Sequence, residues 1–200
     1  MEKADTRGSA KLCLWDQKVL DRPAQPMKYS FRPFHSYLAK RAREEITRIK
    51  AAIPQSKIEH IGSTSIPGVG GKGIIDLYIS VSKKDLDRAS LIIQKLSYEF
   101  KPTGGVPNKR LFHQRIMTYK DGHKQMFHAH LTYSGNKDWI NSIAFRDFLR
   151  SNPKLANEYS EIKHKAVAAA KKFRKKSDKK KAYMNAKKPV IEKIMRLVKS

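Results

Sequence analysis

The segment that decides the fold runs from Glu59 to Ser80 and reads EHIGSTSIPGVGGKGIIDLYIS. Its two ends are apolar and predict strands at about 57–61 and 73–81. The glycines and the proline between them disfavour regular structure and predict a loop. Asp76 is the one carboxylate within the second strand, and burying such a group without a partner is costly. The segment therefore predicts two neighbouring strands with a charged site between them.

The turn after the first strand offers groups that bind phosphate. Gly62 and Ser63 can present backbone N–H groups and a hydroxyl to an anion, and Thr64 follows them directly. Lys72 closes the glycine-rich loop, where it could neutralise phosphate charge or simply extend into solvent. A Walker A loop is excluded, because the spacing and the Lys-Ser/Thr pair of that motif are missing. These four residues are candidate phosphate ligands, against the alternative of an ordinary turn.

Periodicity along the rest of the chain predicts a sheet flanked by helices. Helices are expected at about 34–52, 83–97 and 138–150, with two more that begin near Asn152-Pro153 and Ser177. Further strands are expected at about 98–101, 110–119 and 125–133, the last two joined at Asp121-Gly122. Strands that alternate with helices and then form a hairpin indicate an α/β or α+β fold, with a mixed sheet and C-terminal helices.

These elements suggest three parts. We predict an N-terminal extension with little order at residues 1–27 and a sheet domain at residues 28–135. We predict that residues 136–200 form basic helices packed on that domain. Ser82 and Asp85 predict a capping box at the start of a helix. In the last helix, Pro189 predicts a kink.

Two histidines on one predicted strand are the second candidate group. His128 and His130 share a strand face at roughly 6.6 Å, and Asp76 lies in the same predicted sheet. The three residues are candidate catalytic and metal-binding groups, against the alternative of a half-exposed face that carries histidines. Imidazoles suit Zn²⁺ or Mn²⁺ better than Mg²⁺. Arg110 and Arg146 are further candidate phosphate contacts.

The chain is strongly basic, with a net charge of +25 over 200 residues. Residues 163–200 hold 15 Lys and Arg residues and two acidic ones, so about half of the net charge lies in the last fifth of the chain. A positive surface attracts polyanions such as nucleic acids and nucleotides. The alternative is a solvated helix face with no partner.

Composition limits the setting of the protein. Cys13 is the only cysteine, which excludes an internal disulfide and a cysteine-rich zinc site. No run of about 18 apolar residues is present, so no membrane span is predicted. A cytoplasmic location is expected.

The motifs described so far resemble those of the GrpB family. The resemblance is carried by Glu59–Gly68 with Lys72 and Ile74–Asp76, and by the His-x-His strand at Phe127–Leu131. It continues through Ala144–Arg150, Pro153, Tyr159, Lys163 and the segment Tyr183–Lys187, and it includes an N-terminal helix at Tyr29–Glu45. Residues of about 28–198 are covered.

This resemblance implies a DNA-polymerase-β-like nucleotidyltransferase fold. Active members of that superfamily bind two Mg²⁺ ions through an Asp-x-Asp/Glu pair and a third carboxylate. Here Gly62, Ser63 and Asp76 match, but Tyr78 stands at the second carboxylate position and cannot replace a hard oxygen anion. A histidine, His128 or His130, stands where the third acid is expected. The resemblance therefore implies a nucleotidyltransferase with a divergent active site, whose divalent metal could be Mg²⁺, Mn²⁺ or Zn²⁺.

Two functions follow from these observations. The first is binding of a nucleotide or another phosphorylated small molecule at the turn and the strand site, with transfer of a nucleotidyl group as the associated reaction. The second is a non-catalytic nucleic-acid-binding module that uses the basic C-terminal helices. Binding that depends strongly on salt would indicate the second.

Overall fold

The computed structural model describes residues 30–106, 109–120 and 122–199. The predicted extension at residues 1–27 and Asp121 of the predicted hairpin turn lie outside the described residues. The strands of the described part are β1 (Lys57–Ile61), β2 (Ile75–Val81), β3 (Glu99–Phe100), β4 (Leu111–Thr118) and β5 (Lys124–Tyr133). Its α-helices are α1 (Tyr37–Ala52), α2 (Leu86–Lys95), α3 (Lys137–Ser151), α4 (Pro153–Lys171) and α5 (Lys176–Leu197).

The strands form one mixed five-stranded sheet in the order β1-β2-β5-β4-β3. β1 pairs antiparallel with β2, and β2 runs parallel to β5. β4 pairs antiparallel with both β5 and β3. The predicted α+β fold with a mixed sheet and C-terminal helices is confirmed.

One face of the sheet carries the main hydrophobic core. Ile75, Leu77 and Ile79 point to this face, as the alternation along β2 predicts, and they are fully buried. α1 and α2 cover them with the buried side chains of Leu38, Ala42, Ile49, Ala89 and Ile93. Each large apolar side chain buried in this way stabilises the fold by about 1.5–3 kcal/mol, so this face holds the sheet together and leaves the other face for polar groups.

The opposite face carries Asp76 and Tyr78 and lies under the C-terminal helices. Tyr78 is fully buried, and the ring of Trp139 from α3 packs against it with centroids 5.4 Å apart. α3, α4 and α5 form a second apolar cluster with the loop after β1, to which Ile66 and Val69 belong. The face of β2 that carries Asp76 is therefore directed toward the C-terminal helices.

A buried carboxylate links α1 to the far side of the sheet. Glu45 accepts hydrogen bonds from Tyr98 Oη at 2.8 Å and from Arg115 Nη1 at 3.0 Å. It also forms an ion pair with Arg48 at 2.6 Å. Burial favours the neutral acid, but these partners hold the pKa of Glu45 below its usual range. The charge is thus satisfied by several donors, which is the condition for burying it.

Two predicted helix starts differ from the structure. The Ser82 hydroxyl donates to the Asp85 carboxylate at 2.5 Å instead of forming the reciprocal backbone bonds of a capping box, because a 3₁₀ turn precedes α2. α5 begins at Lys176, so Ser177 lies inside the helix. α5 also continues through Pro189.

Within the described residues, none of the helices combines the length and apolar character needed to cross a bilayer.

Candidate functional site

The parallel pairing of β2 and β5 brings three predicted residues together. In this register Asp76 lies opposite His128, and Tyr78 lies opposite His130. The Oδ1 atom of Asp76 is 3.1 Å from His128 Nδ1 and 3.5 Å from His130 Nε2. We refer to Asp76, His128 and His130 as the Asp-His cluster.

The charges within the Asp-His cluster follow from burial and hydrogen bonding. Burial alone would raise the pKa of the Asp76 carboxyl, but hydrogen bonds from His128 and His130 hold that pKa well below its usual range. Burial lowers the pKa of His130, against the opposing effect of Asp76. Asp76 is therefore ionised and His130 neutral at about pH 7.

The Asp-His cluster has the donor set of a divalent metal site. One ligand atom from each residue lies within 4.8 Å of the other two. Ionised carboxylates and neutral imidazoles are the protonation states that bind metal. The side chains are 25%, 20% and 15% exposed for Asp76, His128 and His130, which leaves access for an ion. One oxygen and two nitrogen ligands fit Zn²⁺ or Mn²⁺ better than Mg²⁺.

Gly62 holds the turn after β1 directly against Asp76. Its φ of 72° lies in the left-handed region that favours glycine. A Cβ at this position would lie 2.5 Å from Asp76 Oδ2. Residues Ser63–Ser65 form a short 3₁₀ turn, so the N–H groups of Ser63 and Thr64 have no acceptor within that turn. The turn therefore presents N–H donors close to the Asp-His cluster.

In the structure, Lys163 of α4 lies beside this turn. A Cβ on Gly71 would lie 2.6 Å from both Lys163 Nζ and Ser63 Oγ, so the ammonium group and the hydroxyl share the space beside Gly71. The loop is held there because Gly70 N donates to Ser160 Oγ at 3.0 Å. Lys163 is only 5% exposed, and it forms no ion pair with any residue that the structure describes.

Two more lysines converge near Lys163. The Nζ atoms of Lys72 and Lys187 each lie 4.3 Å from the centroid of the Tyr183 ring. Lys163 Nζ lies 5.3 Å from the ring centroid of Tyr159. The faces of aromatic rings attract cations, which offsets part of the repulsion between the ammonium groups. We refer to Lys72, Lys163 and Lys187 as the lysine cluster.

Burial lowers the pKa values of the whole lysine cluster. The pKa of Lys163 falls to about 7 and that of Lys187 to about 8. Repulsion between the lysines adds to this effect, and the Asp76 charge opposes it. The pKa of Lys72 is also lowered by burial, again against Asp76. Because burial and repulsion disfavour the charged lysines, an anion placed among them would be strongly favoured.

Two predicted phosphate ligands have their side chains engaged elsewhere. The Arg146 guanidinium donates to Asp147 Oδ1 at 2.8 Å and to Glu59 Oε2 at 2.6 Å. The Thr64 hydroxyl donates to the backbone carbonyl of Ile74 at 3.0 Å. These bonds fix β1 and the turn in place. Arg146 is therefore left out of the site that we propose, and Thr64 contributes to it only through its backbone N–H.

Gly62, Ser63, Lys72 and the Asp-His cluster are the predicted residues that the structure brings together. The prediction missed Lys163 and Lys187 as site residues, although the sequence carries a signal for both. Lys163 lies four residues after Tyr159, and Lys187 lies four residues after Tyr183, so each lysine shares a helix face with a large aromatic side chain. A lysine on a buried stripe needs a partner or a function.

The comparisons with known proteins agree with one another. A family model described as GrpB protein matches residues 31–197. The chain is 34% identical over 114 residues to the UPF0157 protein YqkA of Bacillus subtilis. The aligned segment covers 56% of this chain and 31% of that protein. It spans half to three fifths of the length of other curated relatives that it matches.

Solved structures also match this chain. The crystal structure of the conserved protein GrpB from Enterococcus faecalis matches with a TM-score of 0.68 and 26% identity, over 84% of this chain and 96% of that chain. The Cid1 poly(U) polymerase matches with a TM-score of 0.48 and 15% identity, over 70% of this chain and 44% of that chain. Since the family model covers most of the sequence, the chain belongs to the GrpB family.

Proposed function

We propose that this chain binds a nucleotide or another polyphosphate ester, with the phosphates on the lysine cluster and a divalent cation at the Asp-His cluster. The observation that carries the proposal is the convergence of Lys72, Lys163 and Lys187 beside Ser63 and Asp76. The three ammonium groups repel one another, and Lys163 is buried without an ion pair among the described residues, which costs stability. A polyphosphate removes both penalties, so it is the ligand that this geometry supports best.

The turn and the lysines would hold the phosphates from two sides. The Ser63 hydroxyl and the N–H groups of Ser63 and Thr64 are donors of the kind that bind phosphate at backbone nests. Lys163 reaches the same space from α4, because its Nζ lies as close to the Gly71 position as Ser63 Oγ does. The ligand would therefore bridge the sheet and the C-terminal helices.

Asp76, His128 and His130 would hold the metal. A divalent cation in such a site neutralises phosphate charge and polarises the phosphorus–oxygen bonds next to it. Gly62 keeps the turn within contact of Asp76, which places the turn's phosphate donors next to the metal ligands.

Nucleotidyl transfer is the reaction class that this arrangement would serve. An acceptor oxygen forms a bond to the α-phosphorus of a nucleoside triphosphate, the bond to the bridging oxygen breaks, and pyrophosphate leaves. The acceptor's proton passes to solvent. The lysine cluster would stabilise the charge of the departing pyrophosphate. Tyr78 stands two residues after Asp76 and supplies no second carboxylate. The tests below therefore measure ligand binding, on which the reaction depends.

Calorimetric titration with inorganic tripolyphosphate tests the proposal. Lys163→Met is expected to weaken tripolyphosphate binding by about 30-fold, because it removes a buried charge that contacts the anion. Lys165→Met is the matched control, since Lys165 is an exposed neighbour on the same helix. Absence of binding to the unmodified protein, or equal losses in the two variants, would contradict the proposal.

The pH dependence of tripolyphosphate binding follows from the lysine pKa values. Affinity is expected to fall between about pH 6 and pH 9, as Lys163 with a pKa of about 7 and Lys187 with a pKa of about 8 lose their protons. Without ligand the protein should become more stable over the same range, because the unfolded chain binds more protons there. Lys163→Met should flatten both profiles, and an unchanged slope in that variant would count against the assignment.

An exposed basic turn favours nucleic-acid binding as a second candidate. The residues that join α4 to α5 are exposed and include Lys172, Arg174 and Lys175, and the surface continues onto the exposed Lys176, Lys180 and Lys181 at the start of α5. Replacing the basic residues at 175, 176, 179, 180 and 181 with Gln is expected to abolish RNA or DNA binding, and Asp76→Asn should leave that binding intact. Electrophoretic mobility shifts at low and high salt measure it, since phosphate contacts are strongly salt-dependent. Binding that survives the five substitutions would exclude this surface.

A further inference from the structure

We infer that the cavity beside Gly62 binds the nucleoside of the proposed ligand, and that Asp138 selects a base with adjacent hydrogen-bond donors. This inference rests on the proposed function and concerns the part of the ligand that the lysine cluster does not contact. The cavity has a volume of about 490 Å³, which lies in the range of sites for small molecules.

The cavity adjoins both clusters of the proposed site. Gly62 is part of its wall, and the position of a Gly62 Cβ lies 2.5 Å from Asp76 Oδ2. Tyr159 is also part of the wall, and Lys163 Nζ lies 5.3 Å from the centre of its ring. None of the three lysines lines the cavity. A ligand with its phosphates on the lysines would thus extend past Asp76 into this space.

The wall of the cavity suits a flat heterocycle. Phe145 and Tyr159 pack edge to face with ring centroids 5.5 Å apart, and Ile191 and Met195 of α5 complete the apolar side. The polar side is formed by Asp138, Asn141 and Ser142 of α3, which lie on one helix face because of their spacing of three and four residues. Aromatic surface with a few polar groups is typical of sites that bind a base.

The Asn136 side chain joins the backbone at Asp138 to the backbone next to Arg110. Asn136, only 4% exposed, accepts a hydrogen bond from Asp138 N at 2.8 Å and donates to the carbonyl of Lys109 at 3.2 Å. The Asp138 carboxylate forms no ion pair among the described residues. The buried Arg110 Nε likewise has no hydrogen-bond partner in that part of the chain. The Asp138 carboxylate is therefore available to a ligand, and Arg110, also part of the cavity wall, carries an N–H donor without a partner among the described residues.

The chemistry of these two residues favours guanine. A carboxylate only accepts hydrogen bonds and a guanidinium only donates them, so the matching edge must carry both donors and acceptors. Guanine offers the adjacent N1–H and N2 amino donors, and its O6 and N7 atoms accept from arginine. Uracil offers a single ring N–H. We therefore expect Asp138 to favour guanine over uracil.

Calorimetric titrations with tripolyphosphate, GTP and UTP in the presence of Mn²⁺ test the inference. GTP is expected to bind about tenfold more tightly than either tripolyphosphate or UTP. Asp138→Asn should abolish the preference for GTP over UTP, because the amide replaces one of the two acceptor oxygens with an NH2 donor that cannot pair with a donor of guanine. Ser142→Trp should fill the cavity and reduce GTP affinity to that of tripolyphosphate. Ile140→Trp is the control, since Ile140 is 55% exposed on the same helix.

The outcomes separate this inference from the proposed function. If GTP binds no more tightly than tripolyphosphate, the nucleoside subsite is excluded while polyphosphate binding stands. If neither binds, the proposed function fails and the inference fails with it. A preference for GTP that persists in Asp138→Asn excludes the role of Asp138. Thermal unfolding of each variant identifies a loss of binding that reflects misfolding, and Asp138→Asn gives a second test if Ser142→Trp does not fold.

Discussion

Asp76→Asn is expected to weaken binding of Mn²⁺ or Zn²⁺ by at least about 100-fold, because it removes the one anionic ligand of the Asp-His cluster. The same change should lower stability by about 2 kcal/mol at neutral pH, since the carboxylate accepts charge-assisted hydrogen bonds from both histidines. The pKa of Asp76 is depressed in the folded protein. Its contribution is therefore present above the unfolded value of about 4 and is lost as the pH falls below it.

Calorimetric titration with each metal and urea unfolding at several pH values measure both effects. Asp87→Asn is the matched control, because Asp87 is an exposed carboxylate of α2 outside the proposed site. Metal affinity that is equal in Asp76→Asn and the unmodified protein would show that the Asp-His cluster is not the metal site. A stability difference that grows as the pH falls below about 4 would contradict the pKa assignment.

Gly62→Ala is expected to destabilise the protein by about 3 kcal/mol and to abolish metal binding. The backbone of Gly62, with φ of 72° and ψ of −174°, lies in a region essentially restricted to glycine, which accounts for about 2 kcal/mol of this cost. The remainder comes from a Cβ placed 2.5 Å from Asp76 Oδ2, which forces either the turn or the carboxylate to move. Because the collision is with the Asp76 carboxylate itself, the metal site should be lost even in molecules that remain folded.

Gly68→Ala separates the two causes. Gly68 has a φ of 77°, but the nearest atom to its Cβ position is 3.8 Å away, so this variant carries the backbone strain without the collision. It is expected to cost about 1 kcal/mol and to keep metal affinity unchanged. Urea unfolding and metal titration of both variants give the comparison. Equal stability losses, or retained metal binding in Gly62→Ala, would show that the turn does not press on Asp76.

The sequence by itself determined the strands and the faces on which their charged residues lie. The alternation along β2 placed Asp76 on the face opposite Ile75 and Leu77, and the same period along β5 placed His128 and His130 together. A period of two residues is a local property of extended chain, so it can be read without knowing what the strand packs against. This alternation could not show that β2 and β5 are neighbours, since strand pairing depends on contacts between residues far apart in the chain.

Tertiary structure alone decided which charges surround that centre. Arg146 is a predicted phosphate contact, and in the structure the packing of α3 against β1 pairs it with Glu59. Lys163 and Lys187 lie more than 80 residues from Asp76 in sequence, and only the packing of α4 and α5 over the turn brings them to it. The cavity beside Gly62 likewise exists only between separate elements. Periodicity shows which way a side chain points along its own element, whereas the partner it meets depends on how the elements pack.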